Sequence, residues 1–132
     1  MILDWRNVLA VAIGGGLGSV LRYLIGLVTM HWLGPEFPWG TLLINVGGSL
    51  AIGLAGELAL AHVFGMGSAA RLFLMVGVLG GFTTFSAFSL EALGLISGRT
   101  PLVGFAYIVA SVVLGLVACY VGIVLGRLLI HL

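Results

Sequence analysis

Gly80-Gly81-Phe82-Thr83-Thr84-Phe85-Ser86-Ala87-Phe88-Ser89 interrupts an otherwise apolar stretch running from about Ala70 to Ile96. The run sets glycines, hydroxyls and phenyl rings near the middle of what reads as a membrane span. Hydrocarbon offers no water to an unpaired backbone group, so a helix that loosens there needs protein, an ion or an aqueous path beside it. The run therefore predicts a broken third helix with a functional site at the break.

Composition agrees with a membrane setting. The chain has 132 residues, of which 61% are hydrophobic and 7% charged, with 22 glycines and a mean hydropathy of +1.31. A soluble domain carries far more charge, and glycine is tolerated in membrane helices that pack closely. A formal charge of +1 gives no nucleic-acid surface. The absence of lysine excludes a phosphate-binding Walker loop. Gly14-Gly15-Gly16-Leu17-Gly18 lacks the strand and acidic partner of a dinucleotide-binding turn. Cys119 is the single cysteine, which leaves neither an internal disulfide nor a cysteine metal cluster and assigns it to packing.

Apolar runs extend over about 8–30, 41–64, 70–96 and 102–130, each beyond the ~20 residues needed to cross a bilayer core. The expectation is an all-α membrane protein with four transmembrane helices in a single domain over 1–132. The first run is read as a retained span rather than a cleaved signal, since three similar runs follow it. Short connectors rich in Pro, Gly and polar residues leave no room for an extramembrane domain. Trp5, Trp32 and Trp39 fall at span ends, where an indole keeps its ring in the interface and its N–H in water. His31, His62 and His131 also lie at ends or loops and lack metal-ligand spacing.

The flanking charge hardly favours one orientation. Four spans put Arg6, Arg71 and Arg127 on one side, against Arg99 and Arg22 towards the other, a weak bias by the positive-inside rule. Such a chain can insert both ways round, and opposed copies can pair as an antiparallel homodimer. Four helices alone pack around side chains with little room for a conduit, so a pathway is expected between two subunits. Gly14-x-x-x-Gly18, Gly77-x-x-x-Gly81 and Gly122-x-x-x-Gly126 supply small-residue faces that suit close approach at such a seam.

Depth sorts the polar residues. At ~1.5 Å per residue, Asn45 lies about 9 Å beyond Trp39, and Gly80 to Thr83 lie about 15–20 Å beyond Ala70. Glu57 and Glu91 fall nearer the span ends, within reach of water. The middle thus has no carboxylate of the kind that proton-coupled carriers use. What remains suits a small anion, because Asn N–H and hydroxyl O–H groups replace hydration without a fixed charge. Phenyl rims are electropositive, and Phe85 and Phe88 share a helix face. Tyr107 and Ser111, spaced i, i+4, form a candidate polar track opposite them.

Pro38-Trp39-Gly40-Thr41-Leu42-Leu43-Ile44-Asn45, followed by the Gly80 to Glu91 run, resembles the Fluc (CrcB-type) family of small fluoride channels. The resemblance extends over essentially the whole chain, including Gly14 to Arg22, Tyr107 and Ser111. It implies a dual-topology antiparallel homodimer with two narrow pores at the subunit interface, passive fluoride efflux from the cytoplasm, and fluoride resistance. It further implies that Asn45 points its amide into the pore, that Phe85 and Phe88 line the fluoride path, and that Thr41, Tyr107 and Ser111 complete the polar lining. Arg22 matches a basic residue at the pore vestibule. Backbone carbonyls of Gly80 and Thr83 from both subunits would hold a structural Na+ at the dimer centre, with no organic cofactor. The implied setting is a bacterial inner membrane, with fluoride, lipid and a second copy as partners and no enzymatic activity. One departure concerns Ala87, where the family usually has a threonine.

Two other classes compete. A small multidrug-resistance type antiporter is also short, four-helical and often dual in topology, but needs a membrane-embedded glutamate in helix 1, and residues 8–30 hold no carboxylate. A structural assembly subunit would use the same polar groups only to join helices.

Overall fold

The computed structural model describes residues 4–61, 67–98 and 100–131. The expected end of the second span at Phe64, His62 just before it and Arg99 before the fourth span lie outside the described residues. The chain is helical through its spans except at Thr83 and Thr84: α1 (Trp5–Leu33), α2 (Trp39–Leu60), α3 (Ser68–Arg71), a π-helical segment (Leu72–Leu79), α4 (Gly80–Phe82), α5 (Phe85–Ser97) and α6 (Pro101–Ile130). Four spans are long and apolar enough to cross a membrane, the third running Ser68–Ser97 through α3 to α5.

Local chemistry sets the ends. Asp4 caps α1, its carboxylate accepting from the Arg6 N–H at 3.0 Å, as a short acceptor side chain does for exposed first-turn donors. Gly34 terminates α1 at φ 79°, ψ 171°, a conformation open mainly to glycine, and its N–H donates to Met30 O at 3.1 Å. Pro101 opens α6, where its missing N–H has no helical partner to lose.

Two glycine seams hold the spans together. The first joins α1 to the π-helical segment and α4. A methyl on Gly77 would stand 2.9 Å from Gly14 Cα, one on Gly81 3.0 Å from Gly15 Cα, and one on Gly18 2.7 Å from Phe82 N. The second seam joins α2 to α6, the most extensive pairing in the chain. There a methyl on Gly122 would lie 2.8 Å from Leu54 N and one on Gly126 2.7 Å from Glu57 Cβ, while Gly53 sits against the Cys119 carbonyl. Both seams bring backbone onto backbone, the arrangement that lets van der Waals contact replace the hydrophobic effect in lipid. They also correct the sequence reading. All three Gly-x-x-x-Gly faces are occupied within one protomer, so they are not surfaces waiting for a second subunit.

A paired substitution tests the first seam. Gly81→Ala drives a methyl into Gly15, whereas Gly16 has nothing within 4 Å of an added Cβ. Overpacking of this kind costs about 1–3 kcal/mol. Thermal unfolding in detergent is expected to show Gly81→Ala clearly less stable than the parent protein, with Gly16→Ala unchanged.

The interior is small. Tyr107, wholly buried, packs with Leu42 and Ala92, flanked by Phe37 and Phe88. Leucines and valines such as Leu9, Leu17, Leu102 and Leu116 point outward, as acyl chains permit. Arg127 pairs with Glu57 at 3.1 Å across the ends of α6 and α2.

Candidate functional site

Helical geometry stops after Phe82 and resumes at Phe85. Thr83 (φ −79°, ψ 159°) and Thr84 (φ −152°, ψ 127°) are extended. One side chain from another span meets this interruption. Asn45, on α2, donates from Nδ2 to Thr84 O and accepts at Oδ1 from Thr84 N, both at 2.9 Å. A carboxamide can do this because it carries a donor and an acceptor side by side.

The interruption redirects two N–H groups. In a continuous helix Thr84 N–H would serve Gly80 O and Ala87 N–H would serve Thr83 O, by the i to i−4 rule. Here Thr84 N–H goes to Asn45, and Ala87 N–H goes to Thr84 Oγ1 at 3.3 Å, the N-cap bond of α5. The carbonyls of Gly80 and Thr83 are thereby deprived of their ordinary helical donors. Thr83 turns inward on its own account, its N–H and hydroxyl both donating to Leu79 O at 3.1 and 3.0 Å.

Two cavities adjoin this segment. The inner one, about 470 Å³, is walled by Asn45, Gly80, Thr83, Phe85, Phe88 and Ser111 among others, and no charged side chain among the described residues lines it. The Phe85 and Phe88 rings stand 5.7 Å apart between centroids at 45°. Phe85 is 79% exposed, so one wall of the cavity is the surface of the protomer. Ser111 Oγ is buried and has no hydrogen-bond partner among the described residues.

The outer cavity, about 550 Å³, lies toward the α1–α2 connector and is lined by Arg22, Glu36, Thr41, Ala87 and Glu91, among others. Arg22 makes no ion pair among the described residues. Ala87 lines this cavity and not the inner one.

Of the residues singled out in sequence, Asn45, Phe85, Phe88, Ser111, Gly80 and Thr83 meet at the inner cavity, whereas Thr41 and Arg22 line the outer one. Tyr107 lines neither. Its ring packs 5.3 Å from Phe88, and its hydroxyl donates to Glu91 Oε2 at 2.8 Å. Thr41 Oγ1 donates to Glu91 Oε1, also at 2.8 Å. The expected continuous Tyr107 to Ser111 track is thus divided, with Tyr107 tied to a carboxylate and Ser111 facing the cavity.

Glu91 is the residue that the depth count undervalued. Its carboxylate joins α2, α5 and α6 through two hydroxyls, which makes it a structural tie as well as a lining group of the outer cavity. Replacing it with Gln removes the charge and leaves one acceptor for two donating hydroxyls, and a hydrogen bond to a charged group contributes about 1.5–3 kcal/mol, less where it is only part-buried as here. Glu91→Gln is expected to lower the unfolding temperature while leaving the α2–α6 glycine seam intact; an unchanged melting curve would mean that the hydroxyls find other partners without loss.

A family model described as CrcB-like protein, camphor resistance (CrcB), matches residues 9–123. The chain belongs to the CrcB-like family. Similar proteins include the fluoride-specific ion channel FluC of Rhizobium meliloti, 50% identical over 125 residues that cover 95% of this chain and 99% of that protein. The FluC of Nitrobacter winogradskyi is 50% identical over 127 residues, covering 96% and 100%, and that of Agrobacterium fabrum 51% over 122 residues, covering 92% and 96%. The region of this CrcB-like chain matched by the family model holds the second and third spans, most of the first and fourth, and the lining residues of both cavities.

Proposed function

We propose that this CrcB-like protein is a fluoride-selective channel that lets fluoride leave the cytoplasm passively and so confers fluoride resistance. The observation that carries the reading is the inner cavity, which gathers a carboxamide, hydroxyls and two phenyl rings at an interrupted helix with no charged side chain among the described residues in its lining. Half-identical relatives named as fluoride-specific channels support it. Fluoride holds its water tightly, and only donors that replace that water make entry affordable. Neutral donors do so without a countercharge deep enough to trap the ion.

In this account Arg22 draws fluoride into the outer cavity, Thr41 and Thr84 border its course, and Asn45, Ser111 and the rims of Phe85 and Phe88 receive it. Tyr107 supports Phe88 and fixes Glu91. The pore needs a second wall where Phe85 is exposed, which a second copy in the opposite orientation supplies. The interruption then lies near the bilayer midplane at the dimer centre. Gly80 and Thr83 carbonyls, stripped of their helical donors, fit a structural Na+ there, since hard cations favour such oxygens. The protein is integral and multi-pass; a bacterial inner membrane is the setting proposed.

A proton-coupled antiporter is disfavoured because α1 holds no carboxylate. Purified protein in vesicles loaded with fluoride or chloride separates the classes. Rapid electrogenic fluoride release with chloride retained is expected. Proton-coupled cation export would favour the antiporter, and no flux at all the structural subunit.

A further inference from the structure

Three rings pack in series between the two cavities. Phe37 lines the outer one, Phe88 lines the inner one, and the wholly buried Tyr107 lies between them. The Tyr107 ring centroid is 5.4 Å from that of Phe37, edge on at 83°, and 5.3 Å from that of Phe88 at 54°, separations at which aromatic pairs attract. The first ring of the series belongs to no span. Phe37 comes from the α1–α2 connector, which begins where Gly34 ends α1, and Pro35 and Pro38 stand on either side of it with φ fixed by their rings. Trp39, the first residue of α2, holds it from the far side: the ring centroids are 4.5 Å apart and Trp39 N–H donates to Phe37 O at 2.8 Å. Tyr107 has little freedom to absorb a change on its Phe37 side. Its hydroxyl is tied to Glu91 at 2.8 Å, and a close-packed interior transmits a displacement instead of damping it.

Resting on the fluoride reading above, in which the rim of Phe88 receives the anion, we propose that Phe37 is a positioning residue for the inner cavity: the connector sets the Phe88 ring through Tyr107. Phe37 itself lines only the outer cavity, so its influence on the inner one runs through packing. A short stiff connector outside the spans thereby fixes the placement of a ring inside them, and a change there reaches the ion without touching it.

Fluoride efflux from vesicles and unfolding temperature, measured for the parent, Phe37→Leu, Phe88→Ile and the double variant, test this. Leucine stays apolar but offers Tyr107 no ring. If an anion at a ring rim gains about as much as an aromatic pair does, Phe37→Leu is expected to slow efflux by about threefold or more. In the Phe88→Ile background the same replacement is expected to change the residual efflux by less than about twofold, the scatter of independent sites, because no rim is left to position. It should still lower the unfolding temperature there, which a packing contact does whatever the ion sees. A merely structural role would instead lower efflux by the same factor in both backgrounds. Phe37→Met, whose unbranched chain fills irregular space, takes the place of leucine in both backgrounds should the leucine proteins fail to fold. Efflux from the Phe37 variant within about twofold of the parent, or an equal fall in both backgrounds, overturns the positioning role and leaves the fluoride reading standing. A parent protein that releases no fluoride overturns both.

Discussion

Asn45→Asp is expected to reduce fluoride efflux by roughly two orders of magnitude. Two effects act together. The carboxylate keeps an acceptor for Thr84 N–H but sets an oxygen against Thr84 O, where Asn45 now donates at 2.9 Å, so half of the tie to the interrupted segment turns repulsive. The second effect is electrostatic: a fixed negative charge ~5 Å from a passing anion costs about 3 kcal/mol at an effective dielectric constant of ~20. Efflux measured with a fluoride electrode checks the sum. Asn45→Ser separates the parts, because it weakens the tie without adding charge; it is expected to retain more flux than the aspartate variant. Equal, near-normal efflux from both would remove Asn45 from the path and from the support of the interruption.

Replacing both Phe85 and Phe88 with isoleucine is expected to suppress efflux by about tenfold or more, with the fold preserved. If an anion at an electropositive ring rim gains about as much as an aromatic pair does, roughly 0.5–1.5 kcal/mol per contact, two rings account for a change of that order. The two positions should respond differently in stability. Phe88 packs against Tyr107 in the interior, and its loss lowers the unfolding temperature, whereas Phe85 is largely exposed on the protomer and its loss does not. A drop in efflux from Phe85→Ile at unchanged stability would therefore report on the ion rather than on packing. Unchanged efflux would leave Phe85 as an ordinary surface residue.

The four spans were legible because long apolar runs and Trp-marked ends are one-dimensional signals. The interruption at Thr83 and Thr84 also announced itself, through paired glycines followed by hydroxyl residues. Its cause was not visible: the tie from Asn45 goes to backbone atoms, and no side-chain pattern names a backbone partner. The π-helical segment Leu72–Leu79 left no trace either, since Leu-Phe-Leu-Met-Val-Gly-Val-Leu reads equally well in any helical geometry. The glycine faces were found but misdirected. Spacing shows that a neighbour comes close, while only the packing shows that the neighbour belongs to the same chain. Glu91 was placed by counting residues along one helix. Its significance comes from Thr41 and Tyr107 on two other helices, 50 and 16 residues away in sequence.

The division of labour that emerges is between a charged outer cavity and an uncharged inner one. Arg22, Glu36 and Glu91 line the first, where water remains available to them. The second offers neutral donors, and in the channel reading proposed above selectivity belongs there, where an ion would give up water. A chloride ion is larger and bound less strongly by such donors, so it gains less from a narrow passage lined by fixed hydrogen-bond groups.

The most direct test of this account is the reversal potential of the purified protein in a planar bilayer with fluoride on one side and chloride on the other at equal pH. A potential that follows the fluoride gradient and ignores chloride is the predicted result. One that follows chloride equally, or moves with a proton gradient imposed at constant fluoride, would contradict it.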